Sequence, residues 1–167
     1  LQKHNIPVTS AGVTKLAPWR LLKLRRLLSD IAPDLVHAHL FHANAASRLA
    51  CGRQRPYPLV NTVHIAERRA GAAWHLWVDR RTRHRCDCET VVSRAVRDFQ
   101  AAKTGVPPES LPVIYNGIPR PPRLSDADKR KLRDEWGITG CTRVVGAVGR
   151  LARQKGYDRL LGMMGEL

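Results

Sequence analysis

Short apolar runs of strand length recur along this 167-residue chain, and helical stretches separate them. The clearest helical spacing places four aliphatic residues on one face: Leu21, Leu24, Leu28 and Ile31. The runs typical of strands cover residues 34–40, 59–63, 90–93, 111–115 and 143–148. Strands that alternate with helices in this way predict an α/β fold with a doubly wound parallel sheet.

A proline-rich segment marks the predicted boundary between two domains. Pro119, Pro121 and Pro122 exclude a helix and stiffen the connection. We therefore predict a first domain, a linker and a second domain over residues 1–118, 119–124 and 125–167. The chain begins at Leu1 without Met, and a helical pattern has barely begun where it ends. We expect a fragment of a longer protein, with both domains truncated.

The composition is strongly basic, with 29 Lys and Arg against 14 Asp and Glu and a formal net charge of +15. A hydrophobic share of 43% is enough to form a core, which excludes wholesale disorder. The sequence shows neither an apolar window of the roughly 20 residues that a membrane span needs nor a secretory leader. The cysteines lack zinc-site spacing and predict reduced thiols in a cytoplasmic protein: Cys51, Cys86, Cys88 and Cys141.

The strongest chemical signal lies in the segment 144–156. An apolar run ends in Gly149, Arg150 follows at once, and Lys155 comes before Gly156 and a helical pattern. Glycine lets the backbone approach a bulky anion, Arg offers a bidentate fork, and Lys offers a mobile point charge. The carboxyl end of a strand is also where open α/β sheets bind ligands. The segment predicts a diphosphate site, with two solvated surface cations as the alternative.

A series of motifs in order resembles the retaining nucleotide-sugar glycosyltransferases of the GT-B fold, specifically family 4. The motifs are Pro33-Asp34-Leu35-Val36-His37-Ala38-His39, Thr62-Val63-His64, Val91-Val92-Ser93, Val113-Ile114-Tyr115-Asn116-Gly117-Ile118, and Gly149-Arg150-Leu151 with Lys155-Gly156. The resemblance covers nearly the whole chain. It implies two Rossmann-like domains, the first taking the acceptor and the second the nucleotide sugar.

The resemblance also implies roles for individual residues. Arg150 and Lys155, with Gly149, would hold the donor diphosphate and stabilise the leaving group in place of a metal ion, so no metal or other cofactor is expected. His64 would lie near the transferring sugar and bind or orient reacting groups. The family's amino-terminal glycine-rich loop and later acidic motif are absent, so we expect this chain alone to be inactive.

Three further features receive structural interpretations. His37 and His39 alternate along one strand, which favours histidines hydrogen-bonded within the fold. Asn116 and Gly117 tolerate positive φ and predict a turn that sets the hinge into the linker. The pair Cys86 and Cys88 has poor spacing for a metal or redox site and is interpreted as helix-end packing.

An arginine-rich stretch follows His64 and includes Trp74 and Trp77. Its arginines are Arg68, Arg69, Arg80, Arg81, Arg83, Arg85, Arg94 and Arg97. Cations and aromatic rings together suit an anionic membrane surface, and the implied glycan or lipid-linked acceptor makes peripheral contact with the membrane plausible. A solvated arginine-rich face is the alternative.

The predicted function is transfer of a hexose from a nucleotide sugar to an acceptor in cell-envelope or exopolysaccharide synthesis. A nucleotide-sugar 2-epimerase of the same fold is the alternative enzyme. A basic nucleic-acid-binding module is a third possibility that the high charge allows, but the chain lacks a DNA- or RNA-binding motif.

Overall fold

The computed structural model describes residues 6–14, 17–66, 73–140 and 142–165. The contacts within the chain divide it into two units, Leu1–Ile118 and Pro119–Leu167. The sequence predicts a domain boundary at this position, and the assignment of each unit as a domain stays a prediction.

The first unit alternates helices and strands. Its elements are α1 (Arg20–Ile31), β1 (Val36–His39), α2 (Leu40–Cys51), β2 (Leu59–Val63), α3 (Ala73–Thr82), β3 (Cys88–Val91) and α4 (Arg94–Thr104). The strands form a parallel sheet in the order β1-β2-β3. The predicted α/β class with a parallel sheet is therefore confirmed.

The sheet has two faces of different character. Strand alternation and the register place Ala38, Asn61 and Glu89 on one face, where the Arg48 side chain of α2 bonds to Asn61 and Glu89. We call this the helix-packed face. The opposite face carries a row of polar side chains: His37, His39, Thr62 and Thr90.

A buried network of charges ties the helices to the helix-packed face. Arg48 is fully buried and donates to Asp79 of α3, to Asn61, and to Glu89 at 2.6 Å. Gln100 of α4 donates to both carboxylates. All three charged groups are buried, so the attraction of the guanidinium for the two carboxylates offsets part of the cost of taking them out of water.

An apolar cluster continues the core at the end of the sheet. Its buried members are Val91, Val96, Ala101, Val106 and Leu111. The α4 helix that supplies two of them begins where the Ser93 hydroxyl accepts from the Val96 amide, and it ends at Gly105 in the left-handed conformation. These caps set where α4 begins and ends, and Val96 and Ala101 pack it into the cluster that contains Val91 of β3.

The second unit contains α5 (Asp126–Glu135) and α6 (Tyr157–Met164). Ser125 caps α5, and it forms a reciprocal capping box with Asp128. The described residues of this unit include none that is buried. Its helices are therefore held by local hydrogen bonds and partial packing, not by a closed core.

Several predicted boundaries are wrong. Residues 143–148 form no strand: a strand needs a partner, and none of the described residues pairs with this segment. The candidate strand 111–115 reduces to one parallel bridge between Val91 and Val113. The strand predicted at 90–93 begins and ends two residues earlier, as β3.

The predicted turn at Asn116 and Gly117 is also absent. Both residues lie in irregular backbone, and neither has positive φ. Pro119 favours extended backbone at the residue before it, Ile118. A role of these two residues as a hinge stays a prediction.

Candidate functional site

A cavity of about 180 Å³ opens at the carboxyl end of β1 and β2. Its wall includes Phe41, His42 and Asn44 of α2, His64 just after β2, and His75 and Asp79 of α3. The carboxyl edge of a parallel sheet is the usual ligand-binding edge of α/β folds. The cavity therefore lies where the fold class places substrates.

Asn44 has an unused hydrogen-bonding atom at this cavity. The residue is 1% exposed, and its Nδ2 donates to the Thr62 carbonyl at 3.1 Å. Its Oδ1 has no hydrogen-bond partner within the described part of the chain. A buried acceptor without a partner costs about 1–3 kcal/mol, and because Oδ1 has almost no accessible surface, a hydroxyl or N–H of a bound molecule would relieve that cost only after the Asn44 side chain shifts.

His64 is held by a second histidine. His39 Nδ1 and His64 Nε2 are 2.9 Å apart, and the His37 ring lies 4.1 Å from that of His39 between centroids. His37 Nε2 in turn bonds the Thr62 hydroxyl at 2.7 Å. Both predicted structural histidines are thus hydrogen-bonded within the fold, and one of them is bonded to the predicted catalytic residue.

The environment favours neutral imidazoles. Burial lowers the pKa of His64, and the charge of His39 lowers it further. Burial also lowers the pKa of His37, with further contributions from His39 and His64. A neutral imidazole carries one donor and one acceptor nitrogen, so the rings can pass on a hydrogen-bond direction without carrying charge.

The backbone is strained where β1 meets α2. Leu40 has φ of 70°, a conformation that residues other than glycine rarely adopt. The chain passes directly from strand to helix at this point, which leaves His39 at the strand end and brings Phe41 to the cavity. Strain of this kind persists where the surroundings fix it, and it is common at functional sites.

Aromatic rings form one wall of the cavity. The centroid of the Phe41 ring is 4.0 Å from that of His75 and 5.5 Å from that of Trp74. Ligand sites usually combine such apolar surface with a few placed polar groups. Here the polar groups include Asn44 and His64.

The second unit holds the predicted diphosphate residues in one loop. Arg153–Lys155 form a single 3-10 turn, and Gly156, at φ of 68°, joins it to α6. A Cβ at Gly149 would lie 2.8 Å from Tyr157 Oη and 3.5 Å from Lys155 Cδ. The structure thus brings Gly149 beside Lys155, and a side chain at position 149 would have to displace Tyr157 Oη.

Arg150 and Lys155 are both exposed to solvent. A depression near them does not include either residue; its wall is Leu151, Ala152, Arg153, Tyr157 and Asp158. Exposure leaves both cations available to an anion, and their joint binding of a diphosphate stays a prediction.

The arginine-rich stretch divides into exposed and paired side chains. Arg68 and Arg69 lie outside the described residues. On α3, Trp77 is 60% exposed, and the Arg81 guanidinium lies 5.6 Å from the centroid of its ring. Two other arginines are paired: Arg83 is 3.8 Å from Glu89, and Arg97 pairs with Asp98. Arg80 and Arg81 of α3 and Arg94 at the start of α4 are exposed, so these cations can contact a partner.

Two further observations concern the described residues only. They contain no group of three or more His, Cys, Asp or Glu side chains placed to hold a metal ion. Among them no helix is both long enough and apolar enough to cross a membrane.

The sequence motifs include His64 but give no sign of Asn44. Asn44 lies between alanines in the sequence, at 43, 45 and 46, and nothing in this stretch marks its amide as functional. His39 is part of a sequence motif given above, and its pairing with His64 follows only from the register that sets Thr62 opposite it.

The family model of Glycosyltransferase Family 4 matches residues 2–120. No curated protein matches the chain.

Proposed function

Because the chain belongs to glycosyltransferase family 4, we propose that it takes part in transfer of a hexose from a nucleotide-diphosphate sugar to an acceptor hydroxyl, with retention of configuration. The family supports glycosyl transfer in general. The proposal adds a glycan or lipid-linked acceptor, a role in cell-envelope or exopolysaccharide synthesis, and charge stabilisation by cationic side chains in place of a metal ion.

The cavity beside His64 is the single observation that carries the proposal. An acceptor hydroxyl needs a group that accepts its proton in a hydrogen bond and a group that fixes its position. Asn44 Oδ1 is a buried acceptor without a partner among the described residues, and His64 lies on the same cavity wall. We assign His64 to binding or orienting the reacting groups.

The loop around Gly149 supports the donor side of the proposal. Negative charge builds on the diphosphate as the bond to the sugar breaks, and cations placed there stabilise it. Arg150 can bind two phosphate oxygens through its planar fork, and Lys155 adds a point charge. Gly149 allows the loop to lie close against the Lys155 side chain.

Release of nucleoside diphosphate by the full-length gene product tests the donor site. A panel of UDP- and GDP-sugars is assayed with and without added acceptor sugars. Arg150→Ala and Lys155→Ala should each reduce kcat at least tenfold. Arg153→Ala is the matched control, because it removes the same charge from the same loop and has no assigned role. Equal losses in all three variants, or no turnover of any donor by the folded protein, would contradict the proposal.

The glycine assignment has its own test. Gly149→Ala should raise the KM for the donor, because the new methyl group would displace Tyr157 Oη and open the loop. Combining it with Tyr157→Phe removes the hydroxyl that the methyl group meets and should restore part of the affinity. No difference between the single and double variants would show that this contact does not matter.

The same assay separates transferase from epimerase. A transferase releases nucleoside diphosphate, whereas a 2-epimerase returns a nucleotide sugar inverted at C2, which NMR of the sugar ring identifies. Recovery of the isomerised nucleotide sugar with no free nucleotide would favour the epimerase.

We further propose a cytoplasmic location with peripheral contact to an anionic membrane surface through α3. The supporting observation is the exposed Trp77 with Arg81 against its ring and Arg80 nearby. Aromatic rings favour the interface, and each cation near an anionic surface adds about 1 kcal/mol. A lipid-linked acceptor would be presented at such a surface.

Sedimentation with vesicles tests the membrane contact. The full-length protein should bind vesicles of phosphatidylglycerol and phosphatidylcholine more than pure phosphatidylcholine, and Trp77→Ala should weaken that binding. Trp136→Ala is the matched control, since Trp136 is also exposed but follows α5. Binding that is equal for both kinds of vesicle contradicts the proposal, and so does stronger, salt-sensitive binding to arbitrary DNA or RNA.

A further inference from the structure

We infer that His39 is a positioning residue for His64: it fixes the orientation and the tautomer of the His64 ring through the bond between His39 Nδ1 and His64 Nε2. The inference rests on the role proposed above for His64. It starts from the 2.9 Å separation of these two nitrogens at the carboxyl edge of the sheet.

The bond restricts which atom of His64 can act on a ligand. Nε2 is occupied by His39, so Nδ1 is the ring nitrogen left for a reacting group. A hydrogen bond between two imidazole nitrogens needs one N–H and one lone pair. If His64 donates through Nε2–H, its Nδ1 is an acceptor; if His39 donates, His64 Nδ1 carries the proton. The tautomer of one ring therefore sets that of the other.

The orientation of His39 is itself fixed from two sides. Its ring is tilted at 37° against that of His37, whose Nε2 is bonded to Thr62, and the Thr62 hydroxyl lies 2.8 Å from that of Thr90. On the other side, the backbone at the next residue, Leu40, is held at φ of 70° as the chain enters α2. The row across three strands thus ends in a ring whose backbone is restricted and whose centroid lies 4.1 Å from that of His37.

Histidines that act in catalysis or bind ligands commonly use one ring nitrogen for a supporting partner and the other for the reaction. The supporting partner is usually a carboxylate or a carbonyl. When a second imidazole takes that place, at most one of the two rings can be an imidazolium. Two imidazolium rings in contact would repel and would leave no lone pair to accept the hydrogen bond between them. Other titratable groups around the cavity come from α2 and α3: His42, His75 and Asp79.

The geometry selects the test variants. Asn places its amide where Nδ1 of a histidine lies, so His39→Asn can keep the bond to His64, while His39→Ala removes it. His39 is exposed, so neither change should prevent folding. His84→Ala is the control, because His84 is an exposed histidine in the turn before β3.

The experiment uses the full-length gene product with 15N-labelled histidine. In His39→Ala the ring nitrogen signals of His64 should move toward those of a freely exchanging tautomer mixture, and kcat should fall about tenfold or more with little change in the KM for the donor. The pH at which kcat is half-maximal should also move. His39→Asn should restore both the signals and much of kcat, and His84→Ala should change neither.

Unchanged His64 signals in His39→Ala would overturn the inference, and so would full activity of that variant. Failure of the proposed function gives a different result: His64→Ala would then retain full turnover, or no variant and no wild-type protein would release nucleotide. The nitrogen signals report the pairing in either case, so the two failures are distinguishable.

Discussion

The two faces of the sheet both carry polar side chains, but they use them differently. On the helix-packed face, Arg48, Asp79 and Glu89 satisfy one another in a closed, buried network. On the opposite face, a row of neutral hydrogen-bonding groups runs toward the carboxyl edge and ends at His64. The difference teaches that burial of charge here serves to hold helices on the sheet, while the neutral row orients a side chain at the cavity.

The largest effect should come from breaking the charged network. Arg48→Met fills similar volume but leaves the carboxylates of Asp79 and Glu89 buried without their counter-ion. We expect the free energy of unfolding to fall by about 3–5 kcal/mol, as for other broken buried ion pairs. Urea denaturation of the full-length protein, followed by circular dichroism, measures it.

Arg97→Met is the matched control for this change. Its partner Asp98 is largely exposed, so the pair should contribute at most about 1 kcal/mol. Similar costs for the two variants would show that the buried network is not the main attachment between the helices and the sheet.

Glu89 is the second residue of the charged network whose substitution should lower stability, by less than that of Arg48. Burial raises the pKa of Glu89, and the neighbouring Asp79 raises it further against the opposing charge of Arg48. Glu89→Gln keeps the shape but replaces one of the two oxygens that accept from Arg48 and Gln100 with an NH2 group. We expect this lost hydrogen bond to cost about 1–3 kcal/mol in the free energy of unfolding, less than Arg48→Met. Glu109→Gln, at an exposed site, should cost much less.

The pH dependence of that loss has a definite sign. A raised carboxyl pKa means that the folded state binds the proton more tightly, so the stability it contributes is present at low pH and is lost as the pH rises through the raised pKa. The gap between wild type and Glu89→Gln should narrow as the pH rises from about 4 to about 7. A gap that widens would show that the charged form of Glu89 is the favoured one.

The opposite face should give a smaller effect when its row is interrupted. Thr62→Val keeps the shape and removes the hydroxyl that lies within 2.8 Å of both His37 Nε2 and Thr90 Oγ1. Two lost hydrogen bonds predict a cost of about 1–2 kcal/mol in the free energy of unfolding. Thr142→Val removes one exposed hydroxyl bond and should cost about 0.5 kcal/mol or less. Equal losses of stability in Thr62→Val and Thr142→Val would show that the row of hydrogen bonds does not stabilise the fold.

The alternation of helices and strands can be predicted well from the sequence, whereas the polar networks on the two faces of the sheet cannot. The spacing of Leu21 to Ile31 and the apolar run at 59–63 correspond to α1 and β2, because local periodicity depends on which face is buried. Arg48 looks like an ordinary surface cation in the sequence. Its burial depends on Asp79 and Glu89, which lie 31 and 41 residues away, and no local pattern contains that information.

The incorrect strand at 143–148 has a related cause. The valines of this segment indicate strand propensity, but a strand exists only with a neighbour to bond, and none of the described residues provides one. At the candidate site, the resemblance drew attention to His64, whereas Asn44 and the pairing with His39 depend on the register between β1 and β2. Residue identity can thus be predicted from motifs, but the contacts that orient those residues cannot.

The smallest predicted effect is the pH dependence of stability that His37 contributes on the face opposite the charged network. Burial, then the charges of His39 and His64, lowers the pKa of His37 below its usual 6.5, so the unfolded chain binds protons more readily than the folded one. The stability from this ring is present above pH 6.5 and falls as the pH falls below it. His37→Gln keeps an amide near the Nε2 position and cannot titrate. Between about pH 7.5 and 5.5, the urea midpoint of wild type should therefore fall more than that of the variant. The difference should be small, because solvent screens a partly exposed ring, and Glu89 is present in both proteins and largely cancels. If the two urea midpoints changed equally with pH, His37 would bind a proton as readily in the folded as in the unfolded chain. The opposite face would then not differ from the helix-packed face in excluding charge.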